Sequence, residues 1–279
     1  MMEDPVRHAV GIMWARYFEP ITLEDLASEV YISPFHFLRV FARATGTTPG
    51  RYLSALRMFQ AKRMLLTTNL TVSAIVCSVG YSSVGTFTTR FTRSVGMTPN
   101  RYRDPEIGAL LVAAGRGFSV LPGPRAMAAV PAPLPGVGPR GRANVVIRLP
   151  QSLGRANVFV GLFEAAIPQA PPVTFSYLRH TASTTFSMMD VPVGKWTAFA
   201  VAEPVECGQP GILVGTTRKP VSVSPGQHTP IRLDLHPLRA TDAPVAVSLA
   251  VPARPALALR PSCPAADRRA GPGLVRRAA

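Results

Sequence analysis

The stretch GTTPGRY at residues 46–52 recurs as GMTPNRY at residues 96–102, fifty positions later. Both copies follow the same G-x-T-P-x-R-Y pattern. Glycine is favoured just after a helix, threonine at a helix N-cap and proline in the first helical turn, so each copy predicts the end of one helix and the start of another. The repeat therefore indicates an internal duplication of a helical unit within residues 1–103.

The residues before the first copy predict two short helices joined by a tight turn. Thr22, followed by Glu24 and Asp25, predicts one helix start, because a hydroxyl cap and acidic side chains stabilise the first turn. Ser33 followed by Pro34 predicts the next helix start. Two helices with a tight turn between them form the helix-turn-helix pattern.

The same pattern precedes the second copy. Thr71 predicts a helix start, Gly80 and Tyr81 form the turn, and either Ser82 or Ser83 begins the following helix.

Two further helices are predicted outside these pairs. One is the amphipathic segment 6–18, and the other is a long segment that begins at Thr48 and Pro49 and ends at Leu66.

The second helix of each unit has one apolar face. Phe37 and Phe41 share that face in the first unit, and Phe87 and Phe91 share it in the second. A helix that presents arginine beside small or apolar groups on its other face can enter a DNA major groove. The pattern therefore favours a DNA-binding unit.

Residues 21–103 resemble the AraC family of bacterial regulators. The residues that carry the resemblance are Leu26, Ala27, Ser33, Phe37, Val40, Phe41, Gly46, Pro49, Tyr52, Arg57, Ala61, Leu65, Ile75, Gly80, Tyr81, Phe87, Phe91, Gly96, Pro99, Tyr102 and Arg103. The resemblance implies a seven-helix unit in which a long middle helix holds two recognition helices. These would enter successive major grooves, about 34 Å apart.

Carried over position by position, the resemblance gives two sets of DNA-contacting residues. The base-reading candidates are Phe35, His36, Leu38 and Arg39 in the first unit and Val84, Gly85, Thr88 and Thr89 in the second. The phosphate candidates are Arg43, Arg90 and Arg93. The alternatives are that His36 caps or packs, that Leu38 is partly core and that Arg43 is a solvated charge. Because Val84 and Gly85 cannot form bidentate hydrogen bonds to a base edge, the second helix is expected to discriminate less between sequences.

Composition changes after Arg103, where proline, glycine, valine and alanine become frequent. Residues 104–141 are predicted to be a Pro/Gly-rich linker. Residues 142–251 contain short β-rich runs separated by turn residues, which favours an antiparallel β-sandwich. Residues 252–279 lack periodicity and are predicted to be a disordered basic tail. The predicted fold is multi-domain, α then β, with an all-α double helix-turn-helix in residues 1–103.

The predicted sandwich has a resemblance of its own. The runs 158–163, 191–196 and 223–226 resemble prealbumin-like or carboxypeptidase-regulatory-like sandwich modules. In many AraC-type regulators the companion domain binds a small effector or dimerises, and it usually precedes the DNA-binding unit, whereas here it follows. The aromatic residues Trp196, Tyr177 and Phe186 offer an alternative, a platform for a carbohydrate.

Composition also bears on the class of protein. The net charge of +15 and the pI near 11.1 favour a polyanionic partner. No apolar run reaches membrane-spanning length and no signal-peptide pattern begins the sequence, so a cytoplasmic, nucleoid-associated protein without a membrane partner is expected.

Motifs of catalysis and metal binding are missing from the sequence. No G-x-S-x-G, HExxH or Walker motif is present, and the three cysteines form no CxxC pair. Cys77 is expected in the core, and Cys207 and Cys263 have no activating base nearby. We therefore expect no enzymatic activity, disulfide, metal or cofactor.

The sequence thus predicts a sequence-specific DNA-binding transcription regulator. Its expected partners are double-stranded promoter or operator DNA and RNA polymerase, with a small-molecule effector or a homodimer contact through the C-terminal domain. The alternative is a DNA-tethered β-sandwich whose main role is to bind a ligand, for example a carbohydrate, or a protein.

Overall fold

The computed structural model describes residues 4–130, 138–150, 154–181, 184–205 and 211–250. Helices dominate up to residue 109 and strands dominate after it. In chain order the helices are α1 (Pro5–Arg16), α2 (Leu23–Glu29), α3 (Pro34–Thr45), α4 (Pro49–Thr67), α5 (Val72–Ser78), α6 (Val84–Val95), α7 (Pro105–Ala109) and α8 (Pro124–Ala128). The strands are β1 (Leu111–Ala114), β2 (Arg140–Arg148), β3 (Ala156–Phe163), β4 (Thr174–Thr181), β5 (Thr184–Pro192), β6 (Gly194–Pro204), β7 (Leu213–Thr216), β8 (Val221–Val223), β9 (His228–Asp234), β10 (His236–Pro237) and β11 (Val245–Ser248). We call residues 4–103 the helical head and residues 138–250 the β region.

Side-chain caps begin the helices of the head where the sequence predicts them. Thr22 Oγ1 accepts from the Asp25 N–H at 3.1 Å, and the Asp25 carboxylate accepts from the Thr22 N–H at 2.9 Å. Ser33 caps α3, and Ser83 rather than Ser82 caps α6. Each of these oxygens satisfies a backbone N–H that has no partner inside its helix. The seventh predicted helix of the unit is a single 3-10 turn at Arg101–Arg103.

The duplication extends from the caps to the core. In the first unit the ring centroids of Phe37 and Phe41 lie 5.5 Å apart, and Tyr52 lies 5.7 Å from Phe41. In the second unit the two phenylalanines equivalent to these, Phe87 and Phe91, pack in the same way, and Tyr102 lies 5.5 Å from Phe91. All of these rings are fully buried, so each unit has its own aromatic cluster.

The β region contains two sheets on either side of one apolar core. A six-stranded sheet has the order β10-β7-β6-β3-β4, with β8 paired to β6, and a three-stranded sheet has the order β5-β2-β9. Alternate residues of β2 and β9, such as Val145 and Ile231, are buried against the inner face of β3 and β6. Most pairs are antiparallel, as predicted, but β2 and β9 are parallel, so the expectation of an entirely antiparallel arrangement is wrong at that pair.

The segment predicted to be a linker differs most from expectation. It contains α7, α8 and strand β1, which pairs antiparallel with β11 to form a two-stranded ribbon. Leu111 and Ala113 on one face of β1 pack against the head, while Val112 and Ala114 on the other face pack against the six-stranded sheet. Because both faces are covered, the strand is apolar throughout rather than alternating. The remaining part of the predicted linker, residues 131–137, and the predicted disordered tail lie outside the described residues.

The ribbon joins the head to the β region, and α4 is the helix on which it packs. Lys62 of α4 is completely buried there, and its Nζ donates to the backbone oxygen of Gln169 at 2.9 Å, to Gln169 Oε1 at 3.0 Å and to the backbone oxygen of Ala246 at 2.6 Å. The Tyr52 hydroxyl lies 3.1 Å from the backbone oxygen of Asp242. These contacts bind the β region to the centre of the head.

Candidate nucleic-acid interface

The first recognition helix candidate, α3, buries one face and exposes the other. Phe37 and Phe41 have no solvent exposure, whereas Phe35, His36 and Arg39 are exposed. Phe35 is 78% exposed, which is unusual for a side chain of its size. The base-reading set of the first unit therefore lies on one accessible surface, apart from Leu38, which is half-buried as its partly core alternative implies.

The second candidate, α6, repeats this arrangement with different side chains. Val84, Gly85 and Thr89 are exposed, and Thr88 is half-buried like its counterpart Leu38. The helix ends at Gly96, which has a φ of 95° and whose N–H donates to the backbone oxygen of Thr92. The exposed base-reading candidates of α6 are therefore smaller side chains than those of α3.

The three phosphate candidates occupy exposed positions. Arg43 lies in the last turn of α3, and Arg93 lies in the last turn of α6. Arg90 is exposed as well, but its Nη2 donates to Ser54 Oγ of α4 at 3.1 Å. Arg90 therefore has a partner within the head that a phosphate would have to share or replace.

Two further arginines of the head donate hydrogen bonds to backbone oxygens of its loops. Arg57 of α4 donates through Nε to the Tyr17 backbone oxygen at 2.7 Å and through Nη2 to the Glu19 backbone oxygen at 2.6 Å, and burial lowers its pKa. Arg103 donates in the same way to the backbone oxygens of Thr68 and Leu70. Each guanidinium fixes the loop that precedes a helix-turn-helix pair. The sequence marked both arginines through the family resemblance but gave neither a role.

The turns of the two helix-turn-helix units differ in the residue that adopts a positive φ. Tyr31, with a φ of 57°, and Gly80, with a φ of 76°, occupy corresponding left-handed positions. Glycine adopts this conformation without strain, whereas Tyr31 adopts it as a 93% exposed side chain. After this point the second unit has one extra residue before its capping serine, so the two units are similar but not identical.

The aromatic platform considered for a carbohydrate is not formed. Trp196 is 5% exposed, packs between the two sheets with Phe186, and donates from Nε1 to the Pro192 backbone oxygen at 2.7 Å. Tyr177 packs on the opposite face of the six-stranded sheet. The three side chains therefore share no accessible surface.

Cys77 was expected in the core and is exposed on α5, so that expectation is wrong. The residue follows buried Ile75 and Val76 but occupies the outer side of the short helix. Cys207 and Cys263 lie outside the described residues.

In the part of the chain that the structure describes, no helix combines the length and apolar character needed to cross a bilayer. Nor do three or more His, Cys, Asp or Glu side chains come together in those residues as they would around a metal ion.

A family model described as a helix-turn-helix domain matches residues 26–105. The chain is 32% identical over 96 residues to the uncharacterized HTH-type transcriptional regulator YobQ of Bacillus subtilis, covering 34% of this chain and 40% of that protein. It is 31% identical over 103 residues to the lactose operon transcription activator of Staphylococcus xylosus, covering 37% of each chain. It is 36% identical over 87 residues to the bifunctional transcriptional activator/DNA repair enzyme AdaA of Bacillus subtilis, covering 31% of this chain and 41% of that protein. The chain thus spans less than half the length of these relatives.

Proposed function

Because residues 26–105 form an AraC-type helix-turn-helix domain, we propose that the chain is a sequence-specific transcription regulator that reads two successive major grooves with α3 and α6. Residues 1–103 act as the DNA-binding unit. RNA polymerase is the downstream partner, and the site of action is the nucleoid.

The observation that carries the proposal is that α3 and α6 each bury a pair of phenylalanines and expose their outer face. Phe37 and Phe87 anchor corresponding points of α3 and α6 in the core, and Arg57 and Arg103 hold the loops before their partner helices. A helix fixed on its inner face can present its outer side chains to base edges with little loss of conformational freedom.

The two helices make unequal contributions in this proposal. Arg39 of α3 can donate two hydrogen bonds to a guanine, and Phe35 can contact a thymine methyl group. Val84 and Gly85 of α6 offer no hydrogen-bonding side chain, so α6 reads mainly thymine methyl groups, groove shape and backbone. Sequence preference is therefore expected to be stronger in the sub-site bound by α3.

The proposal involves no enzymatic step. AdaA is by name both a transcriptional activator and a repair enzyme, and repair by alkyl transfer needs an activated cysteine in a basic pocket. Cys77 lies on α5, whose seven residues include no basic side chain.

The deciding experiment is a competition binding assay of the full chain over a randomised duplex library at about 0.15 M salt, where non-specific attraction is weak enough to judge specificity. Enrichment of a bipartite motif of about 15–20 base pairs is expected, because two grooves are read about one helical turn apart. Binding that is independent of sequence and disappears with salt would mean a basic surface without base reading.

A further inference from the structure

A cleft of about 770 Å³ lies between the head and the connection from β3 to β4. The wall on the side of the head includes Arg51 and Ser54 of α4 and Arg90 of α6, and the opposite wall is formed by residues 164–169. Small-molecule sites in proteins typically have volumes of about 300–1,000 Å³. The cleft is therefore large enough for a small ligand that touches both halves of the chain.

Hydrogen-bond donors line the head side of this cleft. Arg51 and Arg90 are exposed there, and a guanidinium has five N–H donors and no acceptor. The bond from Arg90 to Ser54 Oγ occupies only one of those donors and holds the guanidinium against the wall. The remaining donors favour a ligand that is negatively charged and rich in acceptor atoms.

Gln169 of the opposite wall is held against the head by Lys62. The Lys62 ammonium has three N–H bonds and three oxygens around it, one of which is Gln169 Oε1, so this contact orients the amide. The amide nitrogen Nε2 is left buried without a hydrogen-bond partner among the described residues. Buried donors rarely stay unpaired, because they lose the hydrogen bonds that water provides.

Apolar groups complete the lining. Met58 of α4 is 3% exposed and forms part of the floor, and Ile167 lies in the opposite wall. A few polar groups placed around an apolar surface are typical of sites for organic ligands.

From this geometry we propose that the cleft binds a small organic anion whose carboxylate or phosphate group is held by Arg51 and Arg90. The apolar part of the anion lies on Met58 and Ile167. The regulatory consequence rests on the function proposed above. Because Arg90 is also a candidate for contacting a DNA phosphate, the anion and DNA compete for one guanidinium, and occupancy of the cleft lowers DNA affinity.

Glu164 provides a test of opposite sign. Its exposed carboxylate lines the same cleft, where it repels an anion that the arginines attract. Neutralising Glu164 should therefore strengthen anion binding, while neutralising Arg51 should weaken it. A basic surface without a defined site would not show this pair of effects.

The experiment is a calorimetric titration of the full chain, without DNA, with citrate and separately with inorganic phosphate. Chloride keeps the ionic strength constant. Arg51→Gln is expected to weaken binding of the preferred anion about tenfold or more, because a charge-assisted hydrogen bond is lost. Glu164→Gln is expected to strengthen it roughly two- to threefold. The control Arg232→Gln, which removes an exposed charge from β9, should leave the affinity unchanged.

Stronger binding of citrate would identify a carboxylate ligand, and stronger binding of phosphate a phosphorylated one. Equal affinities in the three variants, or no binding of either probe up to about 10 mM, would overturn the proposal. Since the titration contains no DNA, its failure leaves the duplex-library result untouched. If the anion binds but the duplex library yields no enriched motif, only the proposed sequence-specific DNA binding would be contradicted.

Discussion

Arg39 lies exposed in the middle of α3, one turn beyond Phe35 and on the face opposite the buried phenylalanines. Replacing Arg39 with alanine should cost about 1–3 kcal/mol of binding free energy at the matched site, because a bidentate contact to guanine is lost. Fluorescence anisotropy on matched and single-substituted duplexes measures this loss. Arg232→Ala, which removes one positive charge from β9, is the control for net charge. Equal losses on every duplex would make Arg39 a phosphate contact instead.

Lys62 makes stability depend on pH. Burial lowers the pKa of Lys62 from 10.5 to about 7, so between these values the folded chain binds fewer protons than the unfolded chain. The free energy of unfolding therefore rises with pH across that window, and below about pH 7 the full cost of charging a buried amine remains.

The variant Lys62→Met removes this titration. Urea unfolding at about pH 6 and about pH 9 should show that the native chain gains stability relative to Lys62→Met as pH rises. Lys195→Met, which changes an exposed lysine of β6, should show no such trend. If the difference between native chain and Lys62→Met were the same at both pH values, the buried ammonium would not be the cause.

At the scale of elements, the turn before α6 depends on close contact with the end of α1. A Cβ added at Gly80 would lie 2.6 Å from the Phe18 backbone oxygen, and the φ of 76° disfavours any other residue. Gly46 has a similar φ of 73° with open space around it. Gly46→Ala should therefore cost only about 1 kcal/mol, and Gly80→Ala about 2–4 kcal/mol, when unfolding by urea is measured. If both substitutions lowered the free energy of unfolding by a similar amount, the loop that contains Phe18 would be able to move away from the added methyl group.

The elements of the head were predictable because their signals are local. Helix caps such as Thr22, Ser33 and Gly46 form hydrogen bonds within a few residues of themselves. The pattern at residues 46–52 also occurs a second time, at residues 96–102. Strand β1 was not predicted, because its four apolar residues have no alternation and its partner β11 begins 131 residues beyond its own end, at Val245. The sequence signal that could have indicated this strand is its continuous apolar run inside the predicted linker.

The candidate DNA-contacting face was predictable for the same reason, since helix period alone separates Arg39 from Phe37. The cleft beside Arg51 was not, because it exists only where residues 164–169 approach α4. Tertiary packing of distant segments creates such a site, and no local pattern in the sequence reports it.

For the whole molecule, the ribbon of β1 and β11 predicts that the head and the β region unfold together. The chain contains two tryptophans, Trp14 in α1 and Trp196 in β6, one in each half. In the variants Trp14→Phe and Trp196→Phe, the remaining indole reports one half. Urea transitions followed by fluorescence should coincide in midpoint, because packing on both faces of the ribbon couples the two cores. Separate midpoints would instead show that the head and the β region unfold independently.

If α3 and α6 read unequal sub-sites, as proposed, the complex has a direction along the DNA. Phe35 and His36 near the start of α3 correspond to Gly85 and Thr86 near the start of α6, so the proposed sub-sites of one chain differ. Symmetric dimers read palindromes, which look the same from either end. In the proposed two-groove reading, the operator of this chain has two different ends, and turning it end for end would place each sub-site under the wrong helix. Orientation relative to the promoter then becomes part of the regulatory signal.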